Sequence, residues 1–319
     1  MPHLYRFLNR FRGRKFPFRF VYSDAYWMVD LGNHVFPVEK YRLIYEKLLQ
    51  RGVKKENFMA PEPVLDEEIL LAHTSKYLKK LNTGRLSPAE IMTMELPYDP
   101  ELLDFARLMV GGTIKAAGLS LQDGLAVHIG GGFHHAFADH GEGFCILNDV
   151  AVALKKLKNS GKVRKGMVVD CDVHQGNGTA EIFAEDETVF TFSMHQMDIY
   201  PAKKEESSLD VGFWSGDGDK KYLAALRSHI PRLYGEFQPD VIFYLAGADP
   251  YEKDQLGGLK MSMDGLKERD RVVMEEAFRL KIPVIILLAG GYAYDIKDTV
   301  EIHLNTIRTA QKIKKKTFR

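Results

Sequence analysis

The chain has 319 residues, 45% of them hydrophobic and 27% charged, which allows a sizeable core and excludes a disordered or low-complexity protein. Its 44 basic residues nearly balance 43 acidic ones, for a formal net charge of +1, which argues against nucleic acid recognition by bulk charge. Only two cysteines occur, Cys145 and Cys171, too few for a disulfide scaffold or a cysteine-rich zinc module. We therefore expect a protein of a reducing, cytoplasmic setting.

The N-terminal segment of the chain is basic rather than apolar. Six basic residues and no acidic residue lie between Arg6 and Arg19. An uninterrupted apolar core and a small-residue cleavage site are both missing, which argues against a secretory signal. No apolar run of the chain approaches the roughly 18 residues of a membrane-spanning helix, so we expect no transmembrane segment. We interpret residues 1–20 as a basic arm, either solvated or in weak contact with an acidic protein surface or a membrane headgroup layer.

Helical and strand patterns alternate along most of the chain. Strands are predicted where β-branched apolar runs are continuous, which is typical of strands buried on both faces of a parallel sheet. Helices are predicted where the pattern is amphipathic. In chain order, the predicted elements are a helix over residues 40–51, a helix that begins at Asp99, a strand over 125–129, a helix that begins at Asn148 or Asp149, strands over 166–169 and 189–193, a helix over 222–237, a strand over 240–245, a helix over 264–281 and a strand over 282–288.

Capping residues support two of these helices. Gly52 follows the first helix as a suitable left-handed cap. Asp99 supplies an N-cap for the second, and Pro100 occupies the first helical position. The alternation of strands and helices predicts a three-layer α/β/α fold with a mainly parallel sheet and right-handed crossovers. Because no Ser/Gly-rich linker and no internal repeat occur, we interpret residues 1–319 as a single domain.

Polar side chains typical of catalytic sites follow four of the predicted strands. In open α/β sheets, ligands bind beyond the carboxyl ends of the strands, so these side chains are expected to meet at one edge of the sheet. They are His134 and His135 after the first strand, Asp170, Asp172, His174 and Asn177 after the second, Asp249 after the fourth, and Tyr292 after the fifth.

Three of these residues have the character of metal ligands. Asp172 and His174 are two positions apart, so on an extended segment both side chains point the same way. Asp249, from another strand end, would complete an Asp/His/Asp set. Three protein ligands and one open position are the arrangement of a catalytic zinc. His134 and His135 would then supply acid–base groups, because an unperturbed imidazole has a pKa of about 6.5.

Five sequence blocks contain or adjoin these residues: GGGFHHAF, GFCILND, DCDVHQGNGT, AGADPYEKDQLGGL and AGGYAYD. Together they resemble, in the same order, the signature blocks of the zinc-dependent histone deacetylase family. The HQGNG form and the GNHVFPVEKY segment near residue 32 resemble the class IV branch and its bacterial relatives. The resemblance extends from about Tyr22 to about Ile307. It implies the arginase/deacetylase fold and a zinc-dependent hydrolase that removes acyl groups from lysine side chains of proteins or peptides.

The resemblance also implies the roles of the site residues. Asp172, His174 and Asp249 match the ligands of a single zinc ion. His135 matches the general base that activates water and then protonates the leaving lysine amine. His134 matches the electrostatic partner of this base.

Further roles follow from the same blocks. Tyr292 matches the hydroxyl that hydrogen-bonds the oxyanion. Asp170 matches the carboxylate that orients His134 and contacts a structural K⁺ or Na⁺ ion, together with backbone carbonyls that include those of Ser193 and Met194. Asn177 stands where class I members have an aspartate that orients the base, so this base has a neutral partner, which should raise its pKa less.

The substrate tunnel is the last feature that the resemblance implies. Gly143 and Phe144 match the acyl-lysine tunnel, with Leu256 opposite and Tyr200 as the other wall. The loop from Met197 to Gly218 departs from the class I pattern. Class IV members are associated with removal of long fatty acyl groups, so we expect this chain to prefer long acyl chains over acetyl.

Three other functions compete with lysine deacylation. A binuclear manganese hydrolase of the arginase type needs bridging carboxylates where this chain has Gly176 and Tyr251, which argues for one metal. Hydrolysis of small molecules such as acetylpolyamines uses the same catalytic set and stays open. A non-catalytic acyl-lysine reader would be expected to lack a ligand or the oxyanion tyrosine, and neither is missing.

Overall fold

Eight parallel strands form one sheet in the computed structural model, which describes residues 17–317. Every pair of neighbouring strands is parallel, and their order across the sheet is β2-β1-β3-β8-β7-β4-β5-β6. The strands are β1 (Arg19–Val21), β2 (Phe58–Met59), β3 (Leu125–His128), β4 (Gly166–Asp170), β5 (Val189–Gln196), β6 (Leu209–Phe213), β7 (Val241–Leu245) and β8 (Val284–Leu287).

Ten α-helices connect and flank these strands within the described residues. They are α1 (Glu39–Gln50), α2 (Asp66–Ile69), α3 (Ser75–Asn82), α4 (Pro88–Met94), α5 (Pro100–Asp123), α6 (Asp149–Asn159), α7 (Asn177–Ile182), α8 (Asp219–Phe237), α9 (Met263–Arg279) and α10 (Ile296–Thr317). Helix α9 packs against α8 and α10, and α10 also contacts α1. Helices α5 and α6 form a separate packed pair. The predicted three-layer α/β/α fold with a parallel sheet is confirmed.

The continuous apolar runs correspond to the most buried strands. Every residue of β3, β4, β7 and β8 is buried. These four strands occupy the middle of the sheet with helices on both faces, so both faces of each strand need apolar side chains. All five predicted strands are present, although β5 extends three residues beyond the predicted end, to Gln196.

The predicted helix caps are present at their expected positions. The Asp99 carboxylate accepts a hydrogen bond from the backbone N–H of Leu102 at 2.7 Å. Asn148, rather than Asp149, is the N-cap of α6 and accepts from the N–H of Ala151. Gly52 has a φ of +81°, in the left-handed region that favours glycine.

The boundary of the predicted basic arm at residue 20 is too late. Strand β1 begins at Arg19, whose guanidinium lies 2.6 Å from the Asp123 carboxylate with only 12% of its side chain exposed. Arg19 is therefore part of the sheet and its ion pairs rather than of a solvated arm. The other basic residues of that arm lie outside the described residues. In the part of the chain that the structure describes, no helix has the length and apolar character needed to cross a bilayer.

Candidate active site

A cavity of about 270 Å³ opens at the carboxyl ends of the central strands. His134 and His135 reach it from the segment after β3, and Asp172 and His174 from the segment after β4. Tyr292, which follows β8, also lines it. The parallel register aligns the ends of these strands, and so the expected meeting of their polar side chains at one edge is observed.

The three predicted metal ligands form a compact, buried group. The ligand atoms of Asp172, His174 and Asp249 all lie within 4.8 Å of one another. The Nδ1 atom of His174 lies 3.2 Å from Oδ1 of Asp172 and 3.6 Å from Oδ2 of Asp249. Asp249 follows β7 and is fully buried. No second such group of His, Cys, Asp and Glu occurs among residues 17–317.

An unpaired carboxylate oxygen shows whether this group fits a metal. Oδ1 of Asp249 accepts the backbone N–H of Val173 at 2.9 Å, whereas Oδ2 is buried without a hydrogen-bond partner in the described part of the chain. Unpaired buried carboxylate oxygens are strongly unfavourable unless a cation binds them. Two oxygens and one imidazole nitrogen are a donor set that zinc accepts. The residues present therefore fit zinc.

Gly290 provides the room for both carboxylates. A Cβ atom at this position would lie 2.1 Å from Oδ2 of Asp249 and 2.6 Å from Oδ2 of Asp172. The Gly290 N–H instead donates to Oδ2 of Asp172 at 2.8 Å. The first glycine of the AGGYAYD block is thus explained by the close approach of backbone to ligand oxygens.

Burial and like charge disfavour the ligand group without a cation. Burial, together with the neighbouring Asp172 charge, raises the pKa of Asp249 to about 8. For His174, burial lowers the pKa, but the two carboxylates outweigh it and raise the pKa to about 10. Both shifts express the same need of two buried carboxylates for positive charge.

The two adjacent histidines have different partners. His134 Nδ1 lies 2.6 Å from Oδ2 of Asp170, and His135 Nδ1 lies 2.7 Å from Oδ1 of Asn177. Burial lowers the pKa of His134, but Asp170 and Asp172 outweigh it and raise the pKa to about 9. Burial, with the nearby His134 and His174, holds the pKa of His135 well below its ordinary value.

The opposite pKa shifts give His134 and His135 different chemical roles. A histidine with a raised pKa is a cation at neutral pH, and one with a lowered pKa is a neutral base. His134 is therefore suited to stabilise negative charge, and His135 is suited to accept a proton.

Tyr292 is held as a neutral hydroxyl at the edge of the cavity. Its backbone N–H donates to Oδ2 of Asp254 at 2.7 Å, and its ring centre lies 6.0 Å from that of Phe144. Burial, and the carboxylates of Asp172 and Asp249, raise the pKa of the Tyr292 hydroxyl well above its ordinary value. A neutral phenol in this place can donate a hydrogen bond to a developing oxyanion.

All four predicted tunnel residues, Gly143, Phe144, Tyr200 and Leu256, line the cavity. Backbone hydrogen bonds between Glu142 and Cys145, at 3.0 and 2.8 Å, close a tight turn around the first two of them. Gly143 and Phe144 have φ values of +49° and +65°, so both central residues are left-handed, as a type I′ turn requires. A Cβ at position 143 would lie 2.7 Å from the Tyr200 hydroxyl, so glycine permits this wall of the tunnel.

The predicted cation residues lie together beside His134. Asp170 at the end of β4 pairs in register with Ser193 of β5, and both are buried, as is Met194. Oδ1 of Asp170 accepts the N–H of Asp172 at 3.1 Å.

Sequence reasoning missed two charged residues of the site. Lys40 is fully buried, and its ammonium donates to the carbonyl of Ala289 at 2.7 Å, 5.9 Å from the Tyr292 ring centre. Burial lowers the pKa of Lys40 to about 8, against the opposing charges of Asp249 and Asp172. Glu142 contacts Asn177 and Tyr200. Both residues adjoin or belong to the blocks quoted above, but nothing in the local pattern indicated their contacts.

Comparison with known proteins identifies the family. A sequence model of the histone deacetylase domain matches residues 34–307. An uncharacterized protein of Picosynechococcus sp. is 39% identical over 297 residues, which cover 93% of this chain and 99% of that protein. Histone deacetylase 2 of Arabidopsis thaliana is 31% identical over 299 residues, which cover 88% of this chain and 77% of that protein.

Among solved structures, the crystal structure of the HDA15 HD domain superposes with a TM-score of 0.77 at 22% identity, covering 92% of this chain and 88% of that chain. This likeness supports the fold, and the sequence match supports the relationship. With its blocks matched over residues 34–307, the chain is a member of the histone deacetylase family.

Proposed function

We propose that this protein is a zinc-dependent deacylase that hydrolyses the amide between an acyl group and a lysine side chain. Relatives named as deacetylases support an amide-hydrolysing enzyme of this family. The single observation that carries the proposal is the buried Asp172, His174 and Asp249 group, with its unpaired carboxylate oxygen, in the same cavity as His134 and His135. We also propose that the HQGNG form marks a class IV-like member.

The proposed mechanism assigns roles to the metal group and to five further side chains. Asp172, His174 and Asp249 would hold the zinc, which would supply Lewis acidity to polarise the acyl carbonyl and make water more acidic. His135 accepts the proton of the attacking water and then gives it to the leaving lysine amine. Its Nδ1 is occupied by Asn177, so Nε2 is the nitrogen that carries this proton. Tyr292 donates a hydrogen bond to the oxyanion, and His134, paired with Asp170, stabilises the same negative charge.

Peptide hydrolysis with and without a chelator tests this proposal. Acetyl- and long-acyl-lysine peptides should be hydrolysed by the zinc-loaded protein, and removal of the metal should abolish turnover reversibly. An acetylpolyamine serves as the competing small-molecule substrate in the same assay. Binding of acyl-lysine peptides without hydrolysis, at one zinc per chain, would instead favour a reader. Full turnover by demonstrably zinc-free protein would contradict the mechanism.

We further propose that the protein prefers long acyl chains. A second, apolar cavity of about 10 Å³ adjoins the main one, and Phe133 and Phe144 line both. Leu96, Phe105, Ala106, Ile146 and Leu147 complete its lining. This space is about that of one water molecule, so a long chain would need Phe133 or Phe144 and the side chains behind them to move apart. Each methylene that became buried there would add about 0.8 kcal/mol.

Matched peptides measure this preference. We expect kcat/KM for a decanoyl- or myristoyl-lysine peptide to exceed that for the acetyl-lysine peptide by at least ~10-fold, or about 1.4 kcal/mol in transition-state binding. An acetyl peptide that is hydrolysed equally well or better by the unmodified protein would contradict the long-chain preference alone.

We propose, in addition, that Asp170, Ser193 and Met194 help to bind a structural K⁺ or Na⁺ ion. The pairing of Asp170 with Ser193 across β4 and β5 supports this proposal. Asp170→Asn should lower kcat about 10- to 100-fold, as other changes behind a metal site do, because His134 loses its charged partner. Zinc content should stay near one per chain, and any stimulation by potassium should weaken. Unchanged kcat with the same potassium response would count against this role.

Cysteine usage supports a proposed cytoplasmic location. Cys145 and Cys171 are both free and buried. Buried free thiols without disulfides are typical of proteins in reducing compartments. Cell fractionation of the source organism measures the location directly.

A further inference from the structure

Glu142 contacts two residues of the proposed site. Its Oε1 atom accepts hydrogen bonds from Nδ2 of Asn177 at 2.7 Å and from the Tyr200 hydroxyl at 2.8 Å. Its Oε2 atom lies 3.4 Å from Nε2 of His140. Only 17% of the Glu142 side chain is exposed. Neither the metal group nor the tunnel assignment uses this carboxylate.

We propose that Glu142 is a positioning residue, which selects the basic tautomer of His135 through Asn177 and holds Tyr200 at the tunnel wall. The proposal rests on the proposed function, in which His135 is the general base. The direct partner of His135 is the neutral Asn177, and the proposal adds a charged residue, Glu142, behind that partner.

The argument begins with the two ends of the Asn177 amide. An ionised carboxylate only accepts hydrogen bonds, whereas an amide has a donor NH₂ and an acceptor oxygen. The Asn177 atom that faces Glu142 is therefore the NH₂ group, and Oδ1 is left to face His135. Without the carboxylate, the amide is free to turn over by 180°, since His135 Nδ1 can either donate to Oδ1 or accept from the NH₂ group.

The orientation of Asn177 decides where His135 carries its proton. Because Oδ1 of Asn177 only accepts, His135 Nδ1, 2.7 Å away, must be the N–H nitrogen. The neutral ring then keeps its lone pair on Nε2, the nitrogen that the proposed mechanism needs. A reversed amide would donate to Nδ1 and place the proton on Nε2, which removes the base.

The ionised state of Glu142 is maintained by its neighbours. Burial raises the pKa of Glu142, but hydrogen bonds from His140, Tyr200 and Asn177 outweigh it and leave the pKa below its ordinary value. The carboxylate is therefore acceptor-only at neutral pH, as the argument requires.

The backbone around Glu142 is held at the same turn that forms the tunnel. Glu142 and Cys145 close the type I′ turn, and the N–H groups of Gly143 and Phe144 donate to the carbonyls of Thr93 and Met94 at 3.2 and 2.9 Å. Since these bonds fix the backbone on both sides, the carboxylate and the tunnel wall occupy constant positions relative to each other.

The tautomer of His135 is the direct test. Long-range ¹H–¹⁵N spectra of the zinc-loaded full chain should show His135 protonated on Nδ1. In Glu142→Ala, we expect a substantial fraction of the Nε2–H tautomer. Glu142→Leu keeps bulk at this position but removes both acceptor oxygens, so it should show the same change if the alanine variant does not fold. An unchanged tautomer in a folded variant would overturn the proposal, whether or not the protein hydrolyses acyl-lysine.

A double-mutant cycle tests whether Glu142 acts on kcat through Asn177. Glu142→Ala should lower kcat at least ~10-fold with zinc content unchanged, as loss of other indirect partners does. In an Asn177→Ala background, the same change should lower kcat less than ~2-fold, because the two residues act in series. Equal effects in both backgrounds would overturn the proposed route. Glu236→Gln, which removes an exposed carboxylate paired with Arg232 on α8, should leave kcat and the His135 tautomer unchanged.

Discussion

Asp249→Asn is expected to abolish stoichiometric zinc binding, and with it acyl-lysine hydrolysis. Oδ1 of Asp249 already accepts the N–H of Val173, so the asparagine oxygen can keep that bond. The NH₂ group then replaces Oδ2, the buried oxygen without a partner, and points a donor at the metal position. Metal analysis after dialysis should give well below one zinc per chain. Retention of one zinc per chain would remove Asp249 from the ligand set.

The effect of Asp249→Asn on thermal stability should depend on whether zinc is present. Burial and the Asp172 charge raise the pKa of Asp249 to about 8, so this carboxylate is destabilised in the metal-free fold. Metal-free Asp249→Asn should therefore melt at the same temperature as metal-free unmodified protein, or above it, whereas zinc should raise the melting temperature of the unmodified protein only. A variant that melts far lower without metal would indicate a folding defect instead.

His135→Ala should lower kcat by at least ~10²-fold while zinc stays bound, because a positioned acid–base group typically contributes ~10²–10⁴-fold. The residue lines the cavity, but it is not one of the three ligand residues, so the metal group should stay intact. Steady-state kinetics and metal analysis on the same preparation measure both quantities.

Comparison with His128→Gln separates catalysis from packing. His128 is a buried histidine with structural partners, the hydroxyls of Tyr26 at 2.7 Å and Thr113 at 3.0 Å. Its variant should lose thermal stability but keep most of its kcat. Turnover near that of the unmodified protein in His135→Ala would exclude His135 as the base.

The sequence alone determined the strands of the sheet centre and the edge at which the chemistry lies. Continuous apolar runs mark strands such as β7 and β8, because a strand covered on both faces needs apolar residues at every position. Side chains directly after parallel strands share one edge by topology alone, so Asp172, His174 and Asp249 were predictable as neighbours. Their identification as metal ligands also relied on the five sequence blocks in their order, because no single residue pattern is as specific.

The short outer strands were not predictable from local pattern. Strand β2 has two half-buried residues, and β6 is largely half-buried, so neither carries the continuous apolar signal. Both lie at the edges of the sheet, where one side of the strand has no neighbouring strand. An edge strand is less enclosed, so a continuous apolar sequence is not required there.

Only the tertiary structure decided the charged contacts between distant segments. Arg19 pairs with Asp123 across 104 positions, and Lys40 meets the Ala289 carbonyl across 249. Glu142 reaches Asn177 through a left-handed turn that local composition does not specify. Hydrophobic period reports burial and local conformation, whereas a buried charge is placed by whichever partner the folded chain brings within hydrogen-bond distance. For this reason the ligand residues could be named from the sequence, but the residues that support them required the folded chain.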